Sequence, residues 1–204
     1  MNNKVDMKKI YNLSPMQEGI LFHALMDKES DAYLIQNVFY IKGYLDITIF
    51  EKSLNIIIER HDILRTSFVY EFTKNPKQVV MENRNLKINY IDISSYTENG
   101  KNVFVEEYVF NDRQKKFDLT RDILIRMSIV KTSENSFVLI WDSHHILMDG
   151  WCLGILINEL FEIYQSQMND RPLRLGEPYS YIDYIRWLKR QDKELALSYW
   201  KEYL

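Results

Sequence analysis

The chain has 204 residues, 46% of them hydrophobic and 27% charged, the make-up of a soluble globular protein with enough apolar residues for a core. A net charge of −3 gives no basic footprint for nucleic acid, and the single cysteine, Cys152, excludes an internal disulfide and any multi-cysteine zinc site while fitting a reducing compartment. No run approaches the ~20 apolar residues that span a bilayer, the opening MNNKVDMKKI lacks the apolar stretch of a signal peptide, and six glycines and four prolines leave no long flexible linker, so one continuous cytosolic unit is expected.

The first predicted element is a helix within residues 11–27. Ser14 is placed to cap it, Pro15 suits its first position and Gln17 stands third after the cap. Met16, Ile20, Leu21, Leu25 and Met26 then recur at helical spacing. Residues 32–42, rich in β-branched and aromatic side chains and ending at Gly43, predict a buried strand. Apolar residues at 47, 49, 50, 54, 57 and 58 predict an amphipathic helix over 46–60. Strands are expected at 66–71, near 78–81 and at 86–91, then a helix over 101–114 with Val103, Val109 and Phe110 inward. Residues 123–131 and 136–143 read as a hairpin across the polar turn TSEN. A strongly apolar helix over 150–167 follows, then the loop RPLRLGEP and two polar helices at 179–190 and 192–203. Helices mixed with antiparallel hairpins give the α+β class: a two-layer sandwich, a mostly antiparallel or mixed sheet with helices packed on one face.

The stretch WDSHHILMDG, residues 141–150, places two of the four histidines side by side. Neighbours in a strand face opposite ways, so His144 and His145 cannot work as a unit. A histidine after a strand and before a helix N-terminus is placed for chemistry, because the positive end of the helix disfavours imidazolium and a neutral ring can accept a proton. A packed core histidine is the alternative for His144, and the N-cap of the following helix is the alternative for Asp149. Adjacent histidines that point apart make a poor ligand set, so no metal is expected. Neither Ser143 nor Cys152 sits in a glycine-flanked nucleophile elbow.

HHILMDG resembles the HHxxxDG signature shared by condensation domains of nonribosomal peptide synthetases and chloramphenicol acetyltransferase-like acyltransferases. YNLSPMQEGILFHAL, RHDILRTSF (60–68), HHILMDGWCLGIL (144–156) and YIDYIRWLKRQD with SYW resemble successive condensation-domain motifs in the same order, so the resemblance covers essentially the whole chain. PMQEGILFH, RHDILRT and HHILMDGWC look most like the subclass that takes a D-configured donor and an L-configured acceptor. The resemblance implies a chloramphenicol acetyltransferase-like lobe, with residues 1–204 as the N-terminal lobe of a condensation domain whose second, C-terminal lobe is absent. It implies that His145 points into a channel between the lobes as base or hydrogen-bonding positioner. It further implies that His144 faces the interior, that Asp149 is structural and pairs with Arg65, and that Arg60, His61 and Trp200 are architectural. The N–H of Gly150 is the candidate donor to a developing oxyanion.

The implied reaction is peptide-bond formation between a donor aminoacyl or peptidyl thioester and the amine of an acceptor aminoacyl thioester. Both substrates ride on the 4′-phosphopantetheine of carrier proteins, and no cofactor is bound. The implied partners are upstream and downstream peptidyl carrier proteins, the C-terminal lobe and an adenylation domain in the parent chain, with no nucleic acid and no membrane. The lobe alone is expected to be inactive. Two alternatives stay open: a small-molecule acyltransferase of chloramphenicol acetyltransferase type, and a non-catalytic carrier-protein docking module.

Overall fold

Seven strands and six helices run through residues 7–27, 30–71 and 73–204, the parts of the chain that the computed structural model describes. In chain order the strands are β1 (Met7–Asn12), β2 (Leu34–Lys42), β3 (Thr66–Val69), β4 (Lys77–Met81), β5 (Asn89–Asp92), β6 (Ile125–Ser133) and β7 (Ser136–His144). The helices are α1 (Pro15–Met26), α2 (Ile47–Arg60), α3 (Glu98–Arg113), α4 (Gly150–Met168), α5 (Tyr181–Lys189) and α6 (Lys193–Tyr203). The class is α+β, as expected. The strands divide into two sheets: a three-stranded antiparallel one ordered β1-β4-β3, and a four-stranded one ordered β2-β7-β6-β5 in which only the β5–β6 pairing is parallel.

Strand alternation sorts the side chains of the larger sheet. Ile125, Met127 and Ile129 of β6 and Phe137, Leu139 and Trp141 of β7 join Phe50, Leu54, Ile57 and Ile58 of α2 and Leu156, Leu160 and Ile163 of α4 in the main core. Val130, Val138 and Ile140 face the other way and pack with Val105 of α3. Full burial of such a side chain stabilises by about 1.5–3 kcal/mol. Because β6 and β7 carry apolar side chains on both faces, helices cover both sides of this sheet rather than the one side expected.

Three local expectations change. The inward side of α3 is Val105, with Phe104, Tyr108 and Val109 partly buried, whereas Val103 and Phe110 are exposed. On α1 the buried residues are Gln17, Ile20 and Leu21, and Met16 and Met26 stand in solvent. Strand β1, absent from the sequence reading, pairs with β4 and buries only Tyr11.

The caps follow the sequence. Ser14 Oγ accepts from the Gln17 N–H at 3.2 Å, and Gln17 Oε1 accepts from the Ser14 N–H at 2.9 Å, a reciprocal box at the start of α1. Asp46 Oδ1 accepts from the Ile49 N–H at 2.9 Å at the start of α2. Helices α5 and α6 bury none of their residues. No helix among the described residues is long and apolar enough to cross a membrane.

Candidate functional site

Strand β7 delivers the histidine pair to a turn between the larger sheet and α4. The His144 N–H donates to the Leu124 carbonyl at 3.0 Å, the His145 N–H to the Tyr33 carbonyl at 2.8 Å, and the Leu147 N–H closes the turn on the His144 carbonyl at 3.1 Å. The His144 ring is buried on the α3 side of the sheet, where its Nδ1 accepts from the Ile146 N–H at 3.2 Å. Burial, and secondarily His145, pushes its pKa down to about 4. His144 is therefore neutral, with its proton on Nε2. It lines a cleft of about 530 Å³ together with His23, Tyr33, Arg113, Lys116 and Phe117. The His23–Tyr33 and Tyr33–His144 ring centroids are 6.4 and 6.2 Å apart along its wall. His145 is the first residue of the turn, half-buried and outside that cleft.

Asp149 and Arg65 are not brought together, which corrects the expected ion pair. Asp149 is exposed and caps α4: its Oδ1 accepts from the N–H groups of Trp151 at 3.0 Å and Cys152 at 3.2 Å. Bonds from Cys152 and Trp151, and the nearby His145, hold its carboxyl below the usual carboxylate range. Arg65 is buried at the end of the 3-10 turn Asp62–Arg65, where it bonds the carboxylate of Asp62 and donates to the Met81 carbonyl at 2.6 Å. Its Nε is buried without a partner. The physical reason is local: a 3-10 turn stacks residues three apart, so Asp62 reaches the guanidinium first, while the helix N-terminus engages Asp149. The other oxygen of Asp62 takes Lys9 at 2.6 Å.

The remaining positions are placed as follows. The Gly150 N–H, at the first position of α4, has no acceptor among the described residues, and a Cβ there would meet nothing within 4 Å. Arg60 Nε and His61 Nε2 lie 2.9 and 2.7 Å from the same oxygen, Glu159 Oε2, tying the end of α2 to α4, and Arg60 also bonds the Gly176 carbonyl. Trp200 is half-exposed on α6, and among the described residues its ring contacts are with its neighbours Tyr199 and Tyr203. Burial raises the Cys152 thiol pKa, which disfavours a thiolate. Among the described residues, no three His, Cys, Asp or Glu side chains gather as a metal site.

Two features escape sequence reasoning. Gln17, beyond its capping role, donates from Nε2 to the Ile146 carbonyl at 3.2 Å and exchanges bonds with Gln78, so the start of α1 holds the histidine turn. Arg126 and Asp142 place charges inside the apolar strands β6 and β7; a charge within ILIRMSIV and one within FVLIWDS are the available signal.

A buried strand that ends on paired histidines, with an aspartate-capped helix following, is the arrangement that the HHxxxDG stretch foreshadowed. The family model of the condensation domain matches residues 7–204, and the chain belongs to that family. It is 48% identical over 198 residues to bacitracin synthase 3 of Bacillus licheniformis, covering 97% of this chain and 3% of the synthase. It is 46% identical over 201 residues to gramicidin S synthase 2 of Brevibacillus brevis, covering 98% of this chain and 4% of the synthase. The crystal structure of the starter condensation domain of rhizomide synthetase RzmA aligns with a TM-score of 0.77 at 19% identity, over 88% of this chain and 44% of that one, a likeness of fold. The chain thus spans less than half of that solved domain and a few per cent of the synthases.

Proposed function

We propose that the chain is the N-terminal half of a peptide-bond-forming condensation domain, joining a donor aminoacyl or peptidyl thioester to the amine of an acceptor aminoacyl thioester. The observation that carries this reading is the family match across residues 7–204 with the paired-histidine turn inside it. Both substrates arrive on phosphopantetheine arms of upstream and downstream carrier proteins. An adenylation domain of the parent synthetase loads them, and the donor is D-configured. A free α-amino group has a pKa near ~8, so part of it is already neutral at pH 7. Alignment is then the larger need, contributing up to ~7–11 kcal/mol for well-oriented reactants.

His145 is half-buried at the turn, within range of Asp149. It receives or orients the proton of the attacking amine. The Gly150 N–H, unclaimed at the positive end of α4, supplies a donor for the oxyanion. A second lobe completes the channel, a reading supported by the 44% coverage of the solved domain.

The test uses the two-lobed parent with loaded carrier proteins. His145→Ala lowers product formation by roughly 10²–10⁴-fold, the range of a general acid–base group, with carrier binding unchanged. Undiminished product would point instead to a docking module. The isolated chain forms no peptide bond; normal turnover by it would overturn the two-lobe reading. Acetyl-CoA-dependent acylation of a small alcohol would assign it to the chloramphenicol acetyltransferase type.

A further inference from the structure

The charges inside the central strands have no part in the chemistry described above. Arg126 on β6 and Asp142 on β7 are opposed across the sheet, on the face that α3 covers. Asp142 is 0% exposed and Asp112, in the last turn of α3, is 1% exposed. The Arg126 guanidinium bridges them: Nε to Asp112 Oδ2 at 3.1 Å, Nη2 to Asp142 Oδ2 at 2.8 Å and to the Asp112 carbonyl at 2.8 Å. Its Nη1 donates to the Lys115 carbonyl at 3.3 Å, and the guanidinium lies 5.0 Å from the centroid of the Phe117 ring, which walls the cleft at His144. Among the described residues Lys115 adds a second cation, 2.9 Å from Asp112 Oδ1 with a largely exposed side chain. From β2 comes only the neutral Gln36, opposed to Asp142, which donates to the Val109 carbonyl of α3 at 3.1 Å.

A donor count shows what is missing. Asp142 Oδ2 receives Arg126, but Asp142 Oδ1 is buried and receives no donor. An ionised carboxylate with an orphan oxygen beside a second buried carboxylate is costly twice over, by desolvation and by like charge. A proton on Oδ1 turns that orphan into a donor, and the carboxylate that shares the Arg126 guanidinium with it, Asp112, is the acceptor it would serve. We propose that Asp142 and Asp112 share one proton beneath Arg126, Asp142 as the acid and Asp112 as the carboxylate, and that this clasp positions residues 112–117 against the end of β7 that bears the histidine turn. The electrostatics agree with the geometry. Burial first, then Asp112, pushes the Asp142 carboxyl up to about 7. Asp112, despite its own burial, is held below the usual carboxylate range by bonds from Asp142, Lys115 and Arg126.

The pH dependence follows from these directions. Unfolded Asp142 loses its proton near the ordinary value of 3.8, whereas the native side chain keeps it to about 7. Between those values the native state binds more protons, so this group's contribution to stability falls as pH rises from about 4 to about 7 and is constant above. Asparagine mimics the acid form, since its NH₂ can donate to Asp112 and its oxygen can accept from Arg126.

The clasp is tested in the chain itself, by carbon-13 carboxyl NMR on aspartate-labelled protein. One carboxyl resonance is expected to titrate near pH 7, and it disappears in Asp142→Asn. The amide shifts of residues 112–117 follow the same titration in the native chain and stay flat in Asp142→Asn. The Asn variant melts at or above the native temperature at about pH 8, whereas Asp142→Ala melts lower. Titration of every aspartate in the ordinary carboxylate range, or an Asn variant as unstable as the Ala variant, overturns the shared proton. Amide shifts at 112–117 that ignore the titration overturn the positioning role. Only the consequence for catalysis rests on the condensation reading. In the active parent, ionisation of Asp142 loosens the clasp, so product formation is expected to fall above about pH 7 and this fall to vanish in Asp142→Asn; an unchanged pH profile there overturns that consequence alone.

Discussion

Arg65 and Asp149 each satisfy a different part of the fold, and the difference is measurable. Removing the guanidinium with Arg65→Ala takes the donor from the Met81 carbonyl and leaves Asp62 with Lys9 alone. Because Arg65 is buried, the expected loss is about 2–4 kcal/mol. Asp149→Ala removes the cap of α4 at a cost of about 1 kcal/mol. With no bond between them, the two losses should add to within ~0.5 kcal/mol in a double-mutant cycle followed by urea denaturation. A coupling above ~1 kcal/mol would restore the ion pair that the RHDILRT resemblance implied. The sequence identifies both residues as special but cannot rank their partners. Asp62 and Asp149 compete for one guanidinium, and only the backbone path of a single 3-10 turn decides between them. The same limit hid the buried acid pair: Arg126 and Asp142 stand out as charges in apolar strands, while Asp112 looks like any polar residue at a helix end.

At the scale of elements, one glutamine side chain links the scaffold to the site. Gln17 closes the capping box of α1 with its oxygen and holds the Ile146 carbonyl with its NH₂. Gln17→Ala leaves a buried carbonyl and a buried N–H without partners, a loss of about 1–3 kcal/mol. The effect should be concentrated at the turn: amide exchange of His145 and Leu147 rises more than exchange in the β6–β7 pairing. Equal rises in both would mean that Gln17 stabilises the fold without holding the turn.

The cap was legible because Ser-Pro-x-Gln is a chemical pattern fixed by three residues of chain. The β6–β7 hairpin was legible from its apolar runs and polar turn. Strand β1 was not: it is an edge strand with Lys8 and Lys9 in it, and charge on an edge suppresses the alternation that marks a strand. The inward side of α3 was legible only in part: Val109 packs inward as expected, but Val103 and Val105 are both apolar, and a helix buries one or the other according to what the sheet offers.

For the molecule as a whole, surface area says what the helices leave undone. The chain exposes 13539 Å², whereas a monomeric protein of 24.6 kDa exposes roughly 10,000 Å². The excess is comparable with a large subunit interface. Large apolar side chains stand in it: Trp187 on α5 and Leu195, Trp200 and Tyr203 on α6 are 55%, 69%, 53% and 70% exposed, and Trp151 at the start of α4 is 87% exposed. The sequence reading took α5 and α6 as polar helices, since periodicity reports an apolar stripe without saying what lies across from it. Aromatic surface on this scale is unfavourable in water. The isolated chain should therefore self-associate, with a weight-average mass in sedimentation equilibrium that climbs with concentration. Trp187→Glu with Trp200→Glu should return it to a monomer without lowering its melting temperature, because neither side chain is buried. A native chain that stays a single monomeric species at its highest soluble concentration would show that this surface tolerates water. The case for a covering partner would then rest on chain length alone.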